Sequence, residues 1–301
     1  MPNHVTNIIS FKGSTKDIEE LRDKIQSIDE KEGIQEIDFS KIIPMPDSMK
    51  ITSGSQVDTG IAILLFTEKG DSSRLDKMLD YAWVKAENIT NAKQLSQYLI
   101  KNNRANLKEA RIALDNLEKY GYQDWYSWSV ANWGTKWNAY SAHSTDDGIK
   151  FDTAWSTPFP VIQKLSEMFP NVEITLRFAD EDFGHNCGEI VFLAGEAEEN
   201  LPEEGSTKAL ILATKIQENS LDELMYYSSS ENDEFVGSLL SAMIEMFSVE
   251  EVVDEMENAE FEIPSEIFLT TLKEELINAE CYELIGRVDK KINELEKEGE
   301  E

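Results

Sequence analysis

NWGTKWNAYSAHSTDDGIKFDTAWSTPFPVIQKLSEMFPNVEITLRFADEDFGHNCGEIVFLAG, residues Asn132–Gly195, is the stretch whose reading decides the fold. Its hydrophobic period changes several times along the chain. Lys136 to Ser144 and Ile149 to Ser156 alternate like strands. Pro160 to Phe169 places Val161, Ile162, Leu165, Met168 and Phe169 at helical spacing. Val172, Ile174, Leu176 and Phe178 alternate again, and Glu189 to Leu193 reads as a last strand. The order is strand, strand, helix, strand, strand.

Upstream, Val5 to Phe11 reads as a strand with Val5, Ile9 and Phe11 on one side, broken by Gly13. Ser14 followed by Asp17 starts a helix like a capping box, with Ile18, Leu21, Ile25 and Ile28 as its stripe. Together these give β-α-β-β-α-β plus one strand. The predicted class is α+β: a ferredoxin-like antiparallel sheet with two helices on one face.

Two prolines in FSKIIPMPDSM (39–49) exclude a central strand or helix interior there. A helical insertion is expected over about 59–128. Leu75, Met78, Leu79, Ala82 and Trp83 fit one amphipathic helix. Thr90 caps a second, and Asn106 with Glu109 starts a third that Gly121 ends. The ferredoxin-like domain with its insertion spans 1–195. Residues 196–205 (EAEENLPEEG) read as an acidic linker. Residues 206–301 read as an acidic helical domain, with a stripe at Leu239, Leu240, Met243, Ile244 and Phe247. Capping signals stand at Ser248 and Ser265, and Cys281, Leu284, Val288, Ile292 and Leu295 form a near-heptad run.

The net charge of -31 is unevenly spread: Glu196 to Glu301 holds 30 acidic and 7 basic residues, a net of -23. Such a surface repels phosphate backbones and anionic bilayers and attracts basic proteins. Direct nucleic-acid binding by this third is therefore not expected. Two cysteines nearly a hundred residues apart suit a reducing compartment. The N-terminus has no secretory pattern, and no run of apolar residues is long enough to cross a membrane. The expectation is a soluble cytoplasmic protein of a bacterial host cell, without cofactor.

MPNHVTNIISFKG (1–13), FSKIIPMPDSM (39–49), GYQDWYSWSVANWGTKWNAY (121–140), FDTAWSTPFPVIQKLSEMFP (151–170) and GHNCGE (184–189) occur in this order. In them the chain resembles the YubB-type family, ferredoxin-like proteins of unknown function from bacteriophages and conjugative plasmids. The resemblance covers about residues 1–195. It implies the ferredoxin-like core and a mobile-element setting, and it supplies no catalytic residue. The acidic third departs from shorter family members.

Three groups of residues are candidate sites. In NWGTKWNAY, Trp133 and Trp137 offer stacking faces, Lys136 a cation, and Asn138 and Tyr140 polar contacts. The competing reading is an aromatic turn that seals the sheet. Asp180, Glu181 and Asp182, with His185, Cys187 and Glu189, have metal-ligand residue types but match no recognised ligand spacing, and a solvated hairpin competes with a cation site. His4 and His143 read as structural. The third group is an acidic face of Glu250, Glu251, Asp254, Glu255 and Glu257, read either as a solvated surface or as a lure for a basic groove. Its region carries far more charge than the magnitude of about 2–8 that keeps a small domain soluble.

No Gly-rich phosphate loop, nucleophile elbow, H-E-x-x-H or C-x-x-C occurs. The leading expectation is a non-enzymatic phage or plasmid accessory protein that blocks a host protein, foremost a nucleic-acid-handling defence complex. The first alternative is a single-stranded nucleic-acid or nucleotide binder using the Trp-rich face. The second is a metal-dependent enzyme at Asp180–Glu189. Homo-oligomerisation through sheet edges or the heptad-like helix accompanies the leading expectation.

Overall fold

The computed structural model describes residues 3–29, 33–146, 148–258 and 264–298, with side chains described up to residue 293. The elements in chain order are β1 (His4–Lys12), α1 (Thr15–Ile25), β2 (Ser27–Asp29), β3 (Gly33–Gln35), α2 (Phe39–Ile42), α3 (Ser55–Lys69), α4 (Ser73–Met78), α5 (Ala82–Ala86), α6 (Ala92–Lys101), α7 (Leu107–Tyr120) and α8 (Trp125–Trp133). They continue with β4 (Tyr140–Thr145), β5 (Gly148–Ala154), α9 (Phe159–Met168), β6 (Glu173–Asp180), β7 (Cys187–Leu193), β8 (Glu196–Asn200), α10 (Thr207–Gln217), α11 (Leu221–Met225), α12 (Asp233–Met246), α13 (Val249–Asn258), α14 (Glu266–Asn278) and α15 (Tyr282–Glu298).

The chain forms two compact units. One comprises Met1–Asp38 with Ala139–Glu301, the other Phe39–Asn138. In the first, a six-stranded antiparallel sheet has the order β4-β5-β1-β6-β7-β8. Its first four strands, with α1 and α9, have the ferredoxin-like plan: β1 and β4 flank β5, and β5 and β6 flank β1. β7 and β8 extend that sheet by antiparallel neighbours.

Strand alternation gives the sheet two faces. Val5, Asn7 and Ile9 of β1 are buried on one, in register with Phe151, Ile149 and Leu176 of the neighbours. α9 packs there through Val161, Ile162 and Leu165, with the Phe159 ring 5.1 Å from that of Phe192. α1 lies on the same face, its Arg22 guanidinium 5.4 Å from the Phe11 ring. Ser14 caps α1 by accepting from the Asp17 amide. Asn7 is tolerated in this core because its amide donates to Thr153 Oγ1 and accepts from Thr157 Oγ1, at 2.8 and 2.7 Å.

The opposite face carries Ile8, Ala179 and Cys187, and here the C-terminal helices pack. Ala209, Leu210, Ala213 and Ile216 of α10 join Ala179, Phe183 and Cys187 in one core with Leu239, Leu240 and Met243 of α12, Val252, Val253 and Met256 of α13, and Phe268, Leu269 and Leu272 of α14. The acidic third therefore shares a compact unit with the sheet, where a separate domain was expected. The reason is physical: the α10 stripe needs apolar cover, and small side chains at 179 and 187 let the helix approach. The expected linker is likewise ordered at its start, since Glu196–Asn200 pairs with β7 residue by residue. The predicted cap of α13 is present, with Ser248 N donating to Glu251 Oε2 at 2.8 Å, as is that of α14 at Ser265. Leu295 of the heptad run lies outside the described side chains.

Phe39–Asn138 is helical, and its two ends are tied by the Phe39 amide donating to Asn138 Oδ1 at 2.8 Å. α3 and α7 pack where Gly60 meets Ala110. The single helix expected over Leu75–Trp83 is two short ones, α4 and α5, interrupted at 79–81. Asn91, one residue after the expected Thr90, caps α6, while Asn106 and Gly121 bound α7 as predicted. Ile28 does not extend the stripe of α1. The helix stops at Ile25, and Ile28 pairs with Ile34 in the β2–β3 ribbon, 83% exposed.

Candidate functional site

The Trp-rich motif is split by its local structure. Asp124 caps α8 through a reciprocal capping box with Ser127, and Gly134, at φ 77°, ends that helix. Trp133 and Trp128 are both buried and meet edge to face at 5.5 Å. Trp133 Nε1 donates to the Ile43 carbonyl at 2.9 Å, and its ring also meets Phe39. Trp133 thus builds the core of the helical unit, and Asn138 ties the ends of that unit together. Lys136 and Trp137 are half-buried, with Nζ 4.5 Å from the ring centroid. Residues 134–139 form no strand; the ladder begins at Tyr140.

Tyr140 belongs to the sheet unit. Its hydroxyl lies 2.6 Å from His4 Nδ1 and donates to the Thr153 carbonyl at 3.2 Å. Burial first, then the carboxylates of Asp152 and Glu181, push its pKa up to about 12, so the phenol keeps its proton at neutral pH.

Asp180 is buried at the end of β6 and organises the turn into β7. Oδ1 accepts from Asn3 Nδ2 at 3.2 Å and from the Asp182 amide at 3.0 Å, and Oδ2 accepts from Asn186 Nδ2 at 2.9 Å. Glu181 and Asp182 point to solvent. His185 pairs with Glu204 at 3.4 Å. Cys187 is buried against the Ala209 carbonyl, and burial, aided by Glu204, pushes its thiol up to about 11. Asp180, His185 and Cys187 are thus engaged separately, while Glu181 and Asp182 are solvated. Among the described residues no group of three or more His, Cys, Asp or Glu could hold a metal ion.

α13 buries Val252, Val253 and Met256 and turns Glu250, Glu251, Asp254 and Glu257 outward, with Glu255 half-buried. These carboxylates are not equivalent. Asp254 and Glu257 clamp Arg287 of α15 at 2.7 and 2.6 Å. Glu251 is spent on the Ser248 cap, whose hydrogen bonds hold it below the usual carboxylate range. Glu250 instead faces a cleft of about 510 Å³ lined with Glu280, Glu283, Tyr282 and Arg287. Tyr282 is 69% exposed. The arrangement offers three carboxylates beside one aromatic face, and its nearest cation is already doubly paired. Glu280, Tyr282 and Glu283 were not singled out from the sequence. The only available signal was the acidic, aromatic junction between two helical stripes.

Charge also divides the two units. Phe39–Asn138 holds 13 Lys and Arg against 11 Asp and Glu, a net of +2, which leaves -33 on the remainder. Within it, the Arg104 guanidinium lies 4.9 Å from the Trp83 ring and 5.8 Å from that of Tyr98.

No helix among the described residues is long and apolar enough to cross a membrane. None of the curated proteins compared with the chain matches it. Among solved structures, the crystal structure of a protein Api92 from Yersinia pseudotuberculosis is similar over 67% of this chain and 99% of that chain, at 10% identity and a TM-score of 0.33, too low to carry an argument. Over residues 136–225, the segment from the end of the Trp-rich motif through α11, the chain is similar to the family described as the ferredoxin-like domain in Api92-like protein.

Proposed function

We propose that this protein is a mobile-element accessory protein that binds and inhibits a host protein with a basic surface, foremost a nucleic-acid-handling anti-phage defence complex in the bacterial cytoplasm. Inhibition would follow from blocking or mimicking nucleic acid. One observation carries the reading: Glu250, Glu280 and Glu283 line a cleft with an exposed Tyr282, while the Arg287 in its wall is already paired with Asp254 and Glu257. A guanidinium or ammonium from a partner would find carboxylates and an aromatic face together. The mobile-element setting rests on the YubB-type resemblance. Homo-oligomerisation belongs to the same proposal and is read by sedimentation; the heptad-like run of α15 is not its seam, because Leu284, Val288 and Ile292 pack on the unit's own core.

Affinity capture from cells carrying defence systems tests the reading. One dominant basic partner should be retained, and capture should weaken as salt rises. The triple variant Glu250→Gln, Glu280→Gln, Glu283→Gln should lose binding by about a hundredfold, from about 1 kcal/mol for each charge. Unchanged capture by that variant would sink the proposal.

A second reading, single-stranded nucleic-acid binding, is favoured by the near-neutral helical unit with its Arg104–Trp83–Tyr98 stack, where the cation lies on aromatic faces suited to bases. Labelled single strands should then shift with wild type and not with Trp83→Ala.

A further inference from the structure

The sheet has two edges, and they differ. At the β4 edge the register breaks between Tyr140 and His143, and Ser141 takes φ 53°, so the strand is bent where a new neighbour would have to pair. At the other edge β8 is regular. It pairs with β7 from Glu189↔Asn200 to Leu193↔Glu196 without interruption, and all five of its residues are exposed. Among the described residues, no backbone or side-chain hydrogen bond reaches Glu196–Asn200 other than the ladder to β7. Alternate backbone groups of β8 therefore face outward, ready to pair with another strand.

The side chains decide what could pair. Register places Glu196, Glu198 and Asn200 on the face of Leu193, Val191 and Glu189, and Ala197 and Glu199 on the other face. Two copies of β8 laid antiparallel would bring glutamates opposite glutamates, which is unfavourable, so this edge discriminates against a second copy of the same chain. An extended segment with Lys or Arg at alternate positions would instead lay its cations along one face, beside Glu196 and Glu198. Where β8 ends, a depression of about 690 Å³ opens on the side of α10, bordered by Glu189, Asn200, Leu201, Glu203, Lys208 and Leu212. Leu201 is 53% exposed at its rim. Strand addition commonly draws affinity from main-chain bonds and selectivity from such a pocket for every second side chain. The depression lies on the face shared by Glu198 and Asn200, where a long side chain of an added strand would reach it.

We propose that β8 is a docking edge for an extended, Lys/Arg-alternating segment of a partner protein, which adds as a seventh strand and seats one long side chain in the depression beside Glu189. This surface is separate from the cleft at Glu250 and stands without it.

The test keeps the protein intact and varies the ligand. A labelled peptide alternating Lys with Val is titrated by fluorescence anisotropy against the full chain. A second peptide of the same sequence carries N-methyl groups on alternate amides, which preserves charge and removes one edge of donors. Binding should weaken by about tenfold or more on methylation of the edge that faces β8, the loss of roughly two or more main-chain bonds. Methylation of the opposite edge should leave it unchanged. Hydrogen exchange should show added protection confined to Glu196–Asn200. Glu196→Lys with Glu198→Lys should abolish binding of the basic peptide and admit a Glu-alternating one. Equal affinity for all methylated forms would mean adhesion by charge alone and would overturn the proposal. So would protection appearing elsewhere, or self-association of the wild-type chain that the charge reversals remove.

Discussion

Replacing Asp180 by Ala should destabilise the sheet unit far more than replacing either of its acidic neighbours. The carboxylate accepts from Asn3 Nδ2, the Asp182 amide and Asn186 Nδ2, and only 5% of the residue is exposed. Each hydrogen bond to a charged acceptor contributes about 1.5–3 kcal/mol net, but donors near the surface regain water when it is lost. The lower end of each range, discounted for that recovery, gives about 3 kcal/mol in all, or roughly a hundredfold in the folding equilibrium. The turn suffers most, because Asn186 is held at φ 41° with its side chain on Asp180 and its carbonyl on the Asp180 amide. Asp180→Asn should fall between, since its amide would present a donor to one of the present donors. Glu181→Ala and Asp182→Ala, whose side chains are solvated, should stay within about 0.5 kcal/mol. Urea unfolding read with amide exchange across β6 and β7 measures all four variants. The same preparations, titrated with divalent cations, should show no metal-dependent stabilisation of wild type. If Asp180→Ala behaves like Glu181→Ala, or if a cation stabilises wild type and not the variant, the structural account of this carboxylate is wrong.

Other perturbations follow from equally local geometry. A Cβ at Gly60 would stand 2.7 Å from both the Asn106 carbonyl oxygen and Ala110 Cβ, so Gly60→Ala should cost the helical unit about 1–3 kcal/mol, measured by its thermal transition. Trp133→Ala should cost about 3–5 kcal/mol by emptying a core position. Trp137→Ala, at a half-buried position, should cost less, about 1–2 kcal/mol, from its contact with Lys136 and the apolar surface it covers. Alkaline pH should destabilise the sheet unit in two overlapping steps. The Cys187 thiol is raised from 9.0 to about 11 and the Tyr140 phenol from 10.0 to about 12, so the folded state holds more protons than the unfolded one across that range. Stability is thus complete below pH 9 and falls as pH rises through 11 and 12. Tyr140→Phe should remove the upper part of that fall, followed by circular dichroism. At pH 8, iodoacetamide should label half-buried Cys281 well before Cys187.

Which parts of this fold could be read from the chain depends on where the folding information lies. Strands with one buried face announce themselves: Val5 and Ile9, or Ile174, Leu176 and Phe178, alternate because the sheet has an inside. Helix starts at Ser14, Asn106, Ser248 and Ser265 were legible because a cap is a contact within four residues. α3 was missed because SQVDTGIAILLFTEK is apolar around much of its circumference and includes Gly60, so no single stripe stands out. α8 was missed because Trp, Tyr, Ser and Val are weak helix formers, and its stability comes from the Asp124 cap and the burial of Trp128 and Trp133. β8 could not be read at all, since EAEEN has no strand propensity. Its conformation is imposed by the ladder that β7 offers, a contact that no local pattern encodes. The same limit applies to the cleft at Glu250, whose other walls lie some thirty residues further along the chain.

The partition of charge constrains how this molecule can work. A surface carrying -33 outside the helical unit is not needed to hold that surface in solution, and mutual repulsion opposes the packing that the C-terminal helices achieve. That packing is bought by the shared apolar core of α10, α12, α13 and α14, so the charge persists against a standing cost. Some of it is consumed internally: Asp254 and Glu257 on Arg287, Asp289 on Lys273, Glu251 and Glu223 in caps. Glu250, Glu280 and Glu283 at the cleft, and the glutamates of β8, have no such use. If charge served only solubility, its unpaired part should be scattered without regard to surface shape. Part of it lines a concave site and an open strand edge, two places on the unit where another chain could be held by geometry as well as by field. A cationic partner would relieve the repulsion it displaces, so binding should raise the thermal stability of the sheet unit, most at low ionic strength. A partner that binds without that salt-dependent stabilisation would be using a different surface.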